Sequence, residues 1–117
     1  MVFAPGVMGE LGIAPRHTPL LTRLKAGEVR VRGANGEDES FFITGGMLEI
    51  QPHVVTVLSD TAIRADDLDE AAAVEAKQRA EEAMQSKSSE MDFARASAEL
   101  AEAAAMVETI KKLKRRR

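Results

Sequence analysis

All eight glycines and all four prolines of this chain lie in its first 63 residues, and none lies in the remaining 54. Glycine and proline are the strongest breakers of helix and strand interiors. Such a partition therefore divides the chain into a turn-rich part and a part free to run as uninterrupted helix. We place the boundary at Ile63, giving residues 1–63 as a β domain and 64–117 as a helical domain. The expected fold class is α+β: an antiparallel β-sandwich followed by a C-terminal antiparallel two-helix hairpin.

In the first part, short β-branched runs are separated by turn residues. Val2–Ala4 reads as the end of a strand stopped by Pro5-Gly6. Gly6 to Pro19 reads as a turn-rich stretch. Leu20–Leu24 and Glu28–Arg32 are strand candidates joined around Ala26-Gly27, followed by Ser40–Thr44, Met47–Gln51 and Val54–Ser59. Val29 and Val31 alternate with Arg30 and Arg32, which gives one buried and one wet face. Asn35-Gly36 suits a turn needing positive φ. Several short, closely spaced strands indicate a sandwich or barrel. The chain opens in mid-strand, and a bare sheet edge is an aggregation hazard. About ten to twenty residues, one or two strands, are therefore expected to be missing from the N-terminus.

In the second part, Asp67 with Glu70 offers a capping box. Leu68, Ala72, Ala76, Ala80 and Ala83 then share one face at helical spacing. Ser86, Ser88 and Ser89 mark a turn, and Ser89 with Asp92 offers a second cap. Phe93, Ala96, Leu100, Ala103, Val107 and Ile110 follow as a narrow apolar seam. A short link between two such helices implies an antiparallel hairpin. Its seam is mostly alanine, so the helices approach closely but gain little from burial, and the hairpin should open easily. Residues 63–110 carry five basic and twelve acidic side chains, whereas six of the last seven residues are basic. That run is either a solvated helix end complementing the helix dipole or a tip that docks on an acidic protein surface.

Composition removes several function classes. The net charge is -3, with no Trp or Tyr, so the chain lacks the basic, aromatic-studded face of a nucleic-acid binder. It contains no cysteine, which excludes a disulfide framework or a thiolate site. No apolar run approaches the ~20 residues a membrane span needs, so any membrane association is expected to be peripheral. His17 and His53 both neighbour prolines in turn-like segments, without the partners of a triad or a metal pair. No catalytic residue and no metal site is expected.

Gly9–Ile13 followed by Pro15-Arg16-His17-Thr18-Pro19-Leu20-Leu21-Thr22 resembles the GELGI-x-PGH-x-PLLT stretch of F-type ATP synthase epsilon subunits. Gly45–Pro52 resembles that family's GGILEVQP, and Val54–Arg64 its VTVLADTAIR. Asp67–Ala71 resembles DLDEA, and Met91–Ala96 the [IL]DxxRA segment. The resemblance runs from about Val2 to the C-terminus in family order and spacing. It implies a ten-stranded sandwich with a helical hairpin, in a non-catalytic rotor-stalk subunit of a proton-translocating ATP synthase. Such a subunit binds the gamma subunit and the c-ring. It couples rotation to ATP synthesis, and it restrains ATP hydrolysis when its helices extend toward the catalytic beta subunits. The expected location is peripheral, on the cytoplasmic face of a bacterial inner membrane.

The resemblance also assigns residues. Glu10 and His17 match loop positions facing the c-ring; for Glu10 the plain alternative is a solvated loop carboxylate. Asp92, Arg95 and Ala96 match the segment that holds ATP in nucleotide-binding members, giving the alternative function of an ATP-sensing module whose hairpin folds around the nucleotide. An ordinary i,i+3 ion pair between Asp92 and Arg95 is the competing reading. Met91 replaces the usual Ile or Leu, and Glu102 replaces a frequent Arg where an acid would repel phosphate, so no cofactor is expected to be required. Arg16 stands where the family usually has Gly and should tighten or redirect its loop. Lys111, Lys112, Lys114 and Arg115 form the basic tip that the resemblance sets against the beta subunits.

Overall fold

The computed structural model describes residues 1–85 and 90–116, which divide into two compact units, Met1–Asp66 and Asp67–Arg117. The expected turn at Ser86, Ser88 and Ser89, the cap assigned to Ser89, and Arg117 lie outside the described residues.

The first unit contains eight described strands: β1 (Val2–Gly6), β2 (Gly9–Ile13), β3 (Leu20–Leu24), β4 (Gly27–Arg32), β5 (Asp38–Ile43), β6 (Gly46–Ile50), β7 (Val55–Leu58) and β8 (Ala62–Arg64). All pairings are antiparallel, in the order β7-β6-β3-β1-β4-β5-β8, with β2 added to β1. Strand β1 is where the sheet divides. Its whole length pairs with β2. Val2 and Phe3 also pair with Val31 and Arg30 of β4, while Gly6 pairs with Leu24 of β3. One wing, β4-β5-β8, thus leaves from the start of β1, and the other, β3-β6-β7, from its end. Between the wings lies a single core of Ala4, Ile13, Leu24, Val29, Ile43, Leu48 and Ile50, with Val55 and Val57 packed against it.

Pro5-Gly6 does not stop β1. The N–H that proline lacks falls between the β4 and β3 registers, where the ladder changes partners, and the Pro5 carbonyl still accepts the Lys25 N–H at 2.8 Å. The stretch read as turn-rich contains β2, because Gly9 and Gly12 serve a strand here. Gly9 closes the β1–β2 turn at φ 133°, and Gly12 stands in the β1–β2 ladder opposite Phe3. Strands β3 and β4 are consecutive but not paired, since β1 lies between them. At the β4–β5 connection, Gly36 takes φ 84° and the Asn35 side chain accepts the Glu37 N–H, as the Asn-Gly pair predicts. Strand β8 carries the sheet past Ile63.

The second unit holds helices α1 (Glu70–Gln85) and α2 (Glu90–Arg116) after a short 3-10 turn at Ala65–Asp67. Asp69, not Asp67, caps α1: its Oδ1 accepts the Ala72 N–H at 3.3 Å. The 3-10 turn occupies Asp67 and moves the helix start two residues on. Ala73 packs with Val107 and Ile110, flanked by Leu68 and Met106, which makes the helices antiparallel. The α2 seam buries Ala96, Ala103, Val107 and Ile110, while Phe93 stays 38% exposed. On α1 the buried residues are Ala73 and Ala80; Ala72 and Ala83 of the expected face are exposed. Thr109 is also buried, and its hydroxyl donates to the Ala105 carbonyl.

Candidate docking sites

Two exposed regions of the sandwich carry the residues singled out in the sequence. The first is the β1–β2 hairpin tip. Gly6 and Gly9 face each other across Val7-Met8, and Gly9 takes φ 133° to close the turn. The tip is apolar and projects into solvent, with Met8 96% exposed. Glu10 follows on β2, opposite Pro5, with its side chain exposed. It stands on a strand rather than in the expected loop.

The second is the segment between β2 and β3. His17 is half-buried, and its Nδ1 donates to the Thr18 carbonyl at 2.6 Å, which fixes the ring's orientation. Arg16 beside it adopts φ 60°, a left-handed conformation in which a Cβ is strained. A φ of this sign suits glycine, and arginine adopts it here at a cost. Arg16, His17 and His53 rim a cleft of about 330 Å³ floored by Ile13, Ile50 and Val55. Glu10 and His17 do not form one cluster. Glu10 lies at the tip end of β2, and His17 follows Ile13, which pairs with Val2 at the opposite end. The strand between them is about 10 Å long.

On α2, Asp92 and Arg95 are exposed one turn apart, whereas Ala96 is buried. The basic end of α2 is committed in part. Lys111 pairs with Glu108 of its own helix at 3.6 Å, and Lys114 bonds Glu70 at the start of α1. Lys112 and Arg115 are exposed on the same last turns. Glu70 was not singled out by sequence as a partner of the tip. Its position 44 residues away is brought near only by the antiparallel packing of the helices. Among the described residues, no helix is long and apolar enough to cross a membrane, and no group of three acidic or histidine side chains is placed to hold a metal.

Residues 1–65 match the family model of the ATP synthase delta/epsilon chain β-sandwich domain, and residues 66–111 match that of its long α-helix domain. The ATP synthase epsilon chain of Nitrosococcus oceani is 60% identical over 116 residues, covering 99% of this chain and 83% of the relative. That of Hydrogenovibrio crunogenus is 61% identical over 116 residues, covering 99% and 80%. The chain belongs to the ATP synthase epsilon family. As an epsilon chain it is a non-catalytic stalk subunit of that complex. Its fold is shared by a chain in the Euglena gracilis mitochondrial ATP synthase OSCP/F1/c-ring structure, with a TM-score of 0.75 at 19% identity over 98% of this chain and 68% of the other. A chain of the Tetrahymena thermophila mitochondrial ATP synthase central stalk/c-ring structure matches with a TM-score of 0.56 at 16% identity, covering 96% and 79%. The sandwich and the hairpin of this chain are thus the two domains of an epsilon subunit.

Proposed function

We propose that this epsilon chain turns with the central stalk, docking its sandwich on the gamma subunit and the c-ring and holding its hairpin as a brake on ATP hydrolysis. The observation that carries this reading is the match of both domains, in order, over nearly the whole chain to epsilon subunits. Glu10 at the apolar hairpin tip and His17 in the following segment are the proposed c-ring contacts. Their separation along β2 suits a broad docking face rather than one pocket. The basic end of α2, with Lys111, Lys112, Lys114 and Arg115, is the proposed contact to an acidic surface of the beta subunits, since clustered like charge steers and strengthens docking on its complement. The proposed location is the cytoplasmic side of a bacterial inner membrane, held there through the complex.

The nucleotide-sensor reading has less support. Asp92 and Arg95 are exposed, but Ala96 is buried, and Glu102 adds an exposed negative charge less than three helical turns beyond Arg95.

The test is ATP hydrolysis by an epsilon-depleted catalytic complex, with either the full chain or a version ending at Asp66 added back. Both are expected to bind, and only the full chain is expected to slow hydrolysis. Binding by neither would count against the stalk assignment; equal rates with both would remove the brake and leave the coupling role.

A further inference from the structure

Among the described residues, the larger buried apolar cluster of the helical hairpin lies at one end. Its larger apolar contacts, Val107 and Ile110 against Ala73 with Leu68 and Met106 alongside, lie where α1 begins and α2 ends. Toward the other end the buried seam residues are Ala80, Ala96 and Ala103. At the fastened end an ion pair joins Lys114, in the last turn of α2, to Glu70, the first residue of α1. Each charge also complements the dipole of its own helix, an acid at an N-terminus and a base at a C-terminus. The pair forms only in the closed hairpin, whereas each dipole contribution belongs to its own helix and persists when the hairpin opens; both side chains are about half exposed.

We infer that Glu70 is an intramolecular competitor for Lys114, fastening the hairpin shut and occupying a lysine that the open hairpin presents to an acidic partner. The inference rests on the brake reading proposed above. It adds that closing and docking draw on the same ammonium group, so the two states exclude each other at one residue. An exposed ion pair contributes little on its own. A two-state element needs only a small bias to shift its minor population several-fold.

The chain has no cysteine, so a single thiol at Ala73, 2% exposed in the seam, reports opening through its rate of alkylation by neutral iodoacetamide. In full-length Ala73→Cys, adding Glu70→Gln is expected to raise that rate about threefold at low salt. Lys114→Gln should raise it similarly, and the two together no further, because they remove one interaction. About 1 M salt should bring the reference chain up to the rate of the variants. An unchanged rate in Glu70→Gln, or additive effects in the double variant, overturns the inference. Inhibition of the epsilon-depleted complex then separates it from the brake reading. Glu70→Gln is expected to inhibit more strongly and Lys114→Gln more weakly, though both open the hairpin. If both raise alkylation and neither alters inhibition, the fastening stands but Lys114 is not the docking lysine, and the proposed competition is overturned while the brake rests on the comparison with the shortened chain.

Discussion

At Arg16 a family pattern becomes a backbone angle. Its φ of 60° lies in the region where the Cβ of an L-residue crowds the following carbonyl. The half-buried ring of His17 is oriented by its bond to Thr18 in the same segment, so the turn matters to a proposed docking residue. Arg16→Gly relieves the strain and loosens the unfolded chain, effects of opposite sign. We expect a net stabilisation of about 0.5–1 kcal/mol, measured by urea unfolding, with c-ring docking preserved. Sequence carried this residue as a departure from the family pattern that would tighten or redirect the loop; the strain became visible in the dihedral.

Among the elements, what could be read from sequence depended on how many answers a pattern allowed. Strand β3 was delimited by Pro19 on one side and Ala26-Gly27 on the other, and it runs over the expected residues. Strand β2 was missed because Gly9 and Gly12 are turn signals in sequence; only the structure shows Gly12 in register with Phe3 on β1. The α2 seam was legible because Val107 and Ile110 are distinct from their neighbours. The α1 face was not, since the run Ala71-Ala72-Ala73 fits several rotations of the helix equally well, and Ala73 is the one buried. Likewise Asp66, Asp67 and Asp69 all resemble caps, and the 3-10 turn decides for Asp69. Asp69→Ala should cost the helical unit about 1 kcal/mol, read as a lower midpoint in thermal unfolding, whereas Asp67→Ala should leave it nearly unchanged. At the same end of the hairpin, on α2, the joint replacement of Lys111, Lys112 and Lys114 by alanine is expected to weaken inhibition of ATP hydrolysis several-fold at low salt. The difference should shrink as salt is raised. Inhibition by the variant equal to that of the native chain at low salt would remove the basic tip from the brake. The basic run itself was plain in sequence; its division between Glu108 and Glu70 depended on how the helices pack.

For the whole molecule, the sequence motifs located a family and the fold arranged its surfaces. Glu10 stands at the hairpin tip, and His17 lies in the segment beyond the other end of β2. If both belong to one docking face, Glu10→Ala and His17→Ala should each weaken binding to a c-ring–gamma complex by a few-fold, and their effects should add, as expected for residues set apart by the length of β2 with no shared partner. Surface plasmon resonance on the immobilised complex checks this, and strong non-additivity would place them in a single cluster instead. The division of the sheet at β1 has a mechanical consequence for a subunit that turns. A push on the β1–β2 tip enters a strand hydrogen-bonded to both wings at once, to β4 through Val2 and Phe3 and to β3 through Gly6. Force is then shared by backbone ladders into both layers before it reaches the side-chain core. The sandwich should therefore resist twisting as one stiff body and transmit a rotary step with little elastic lag.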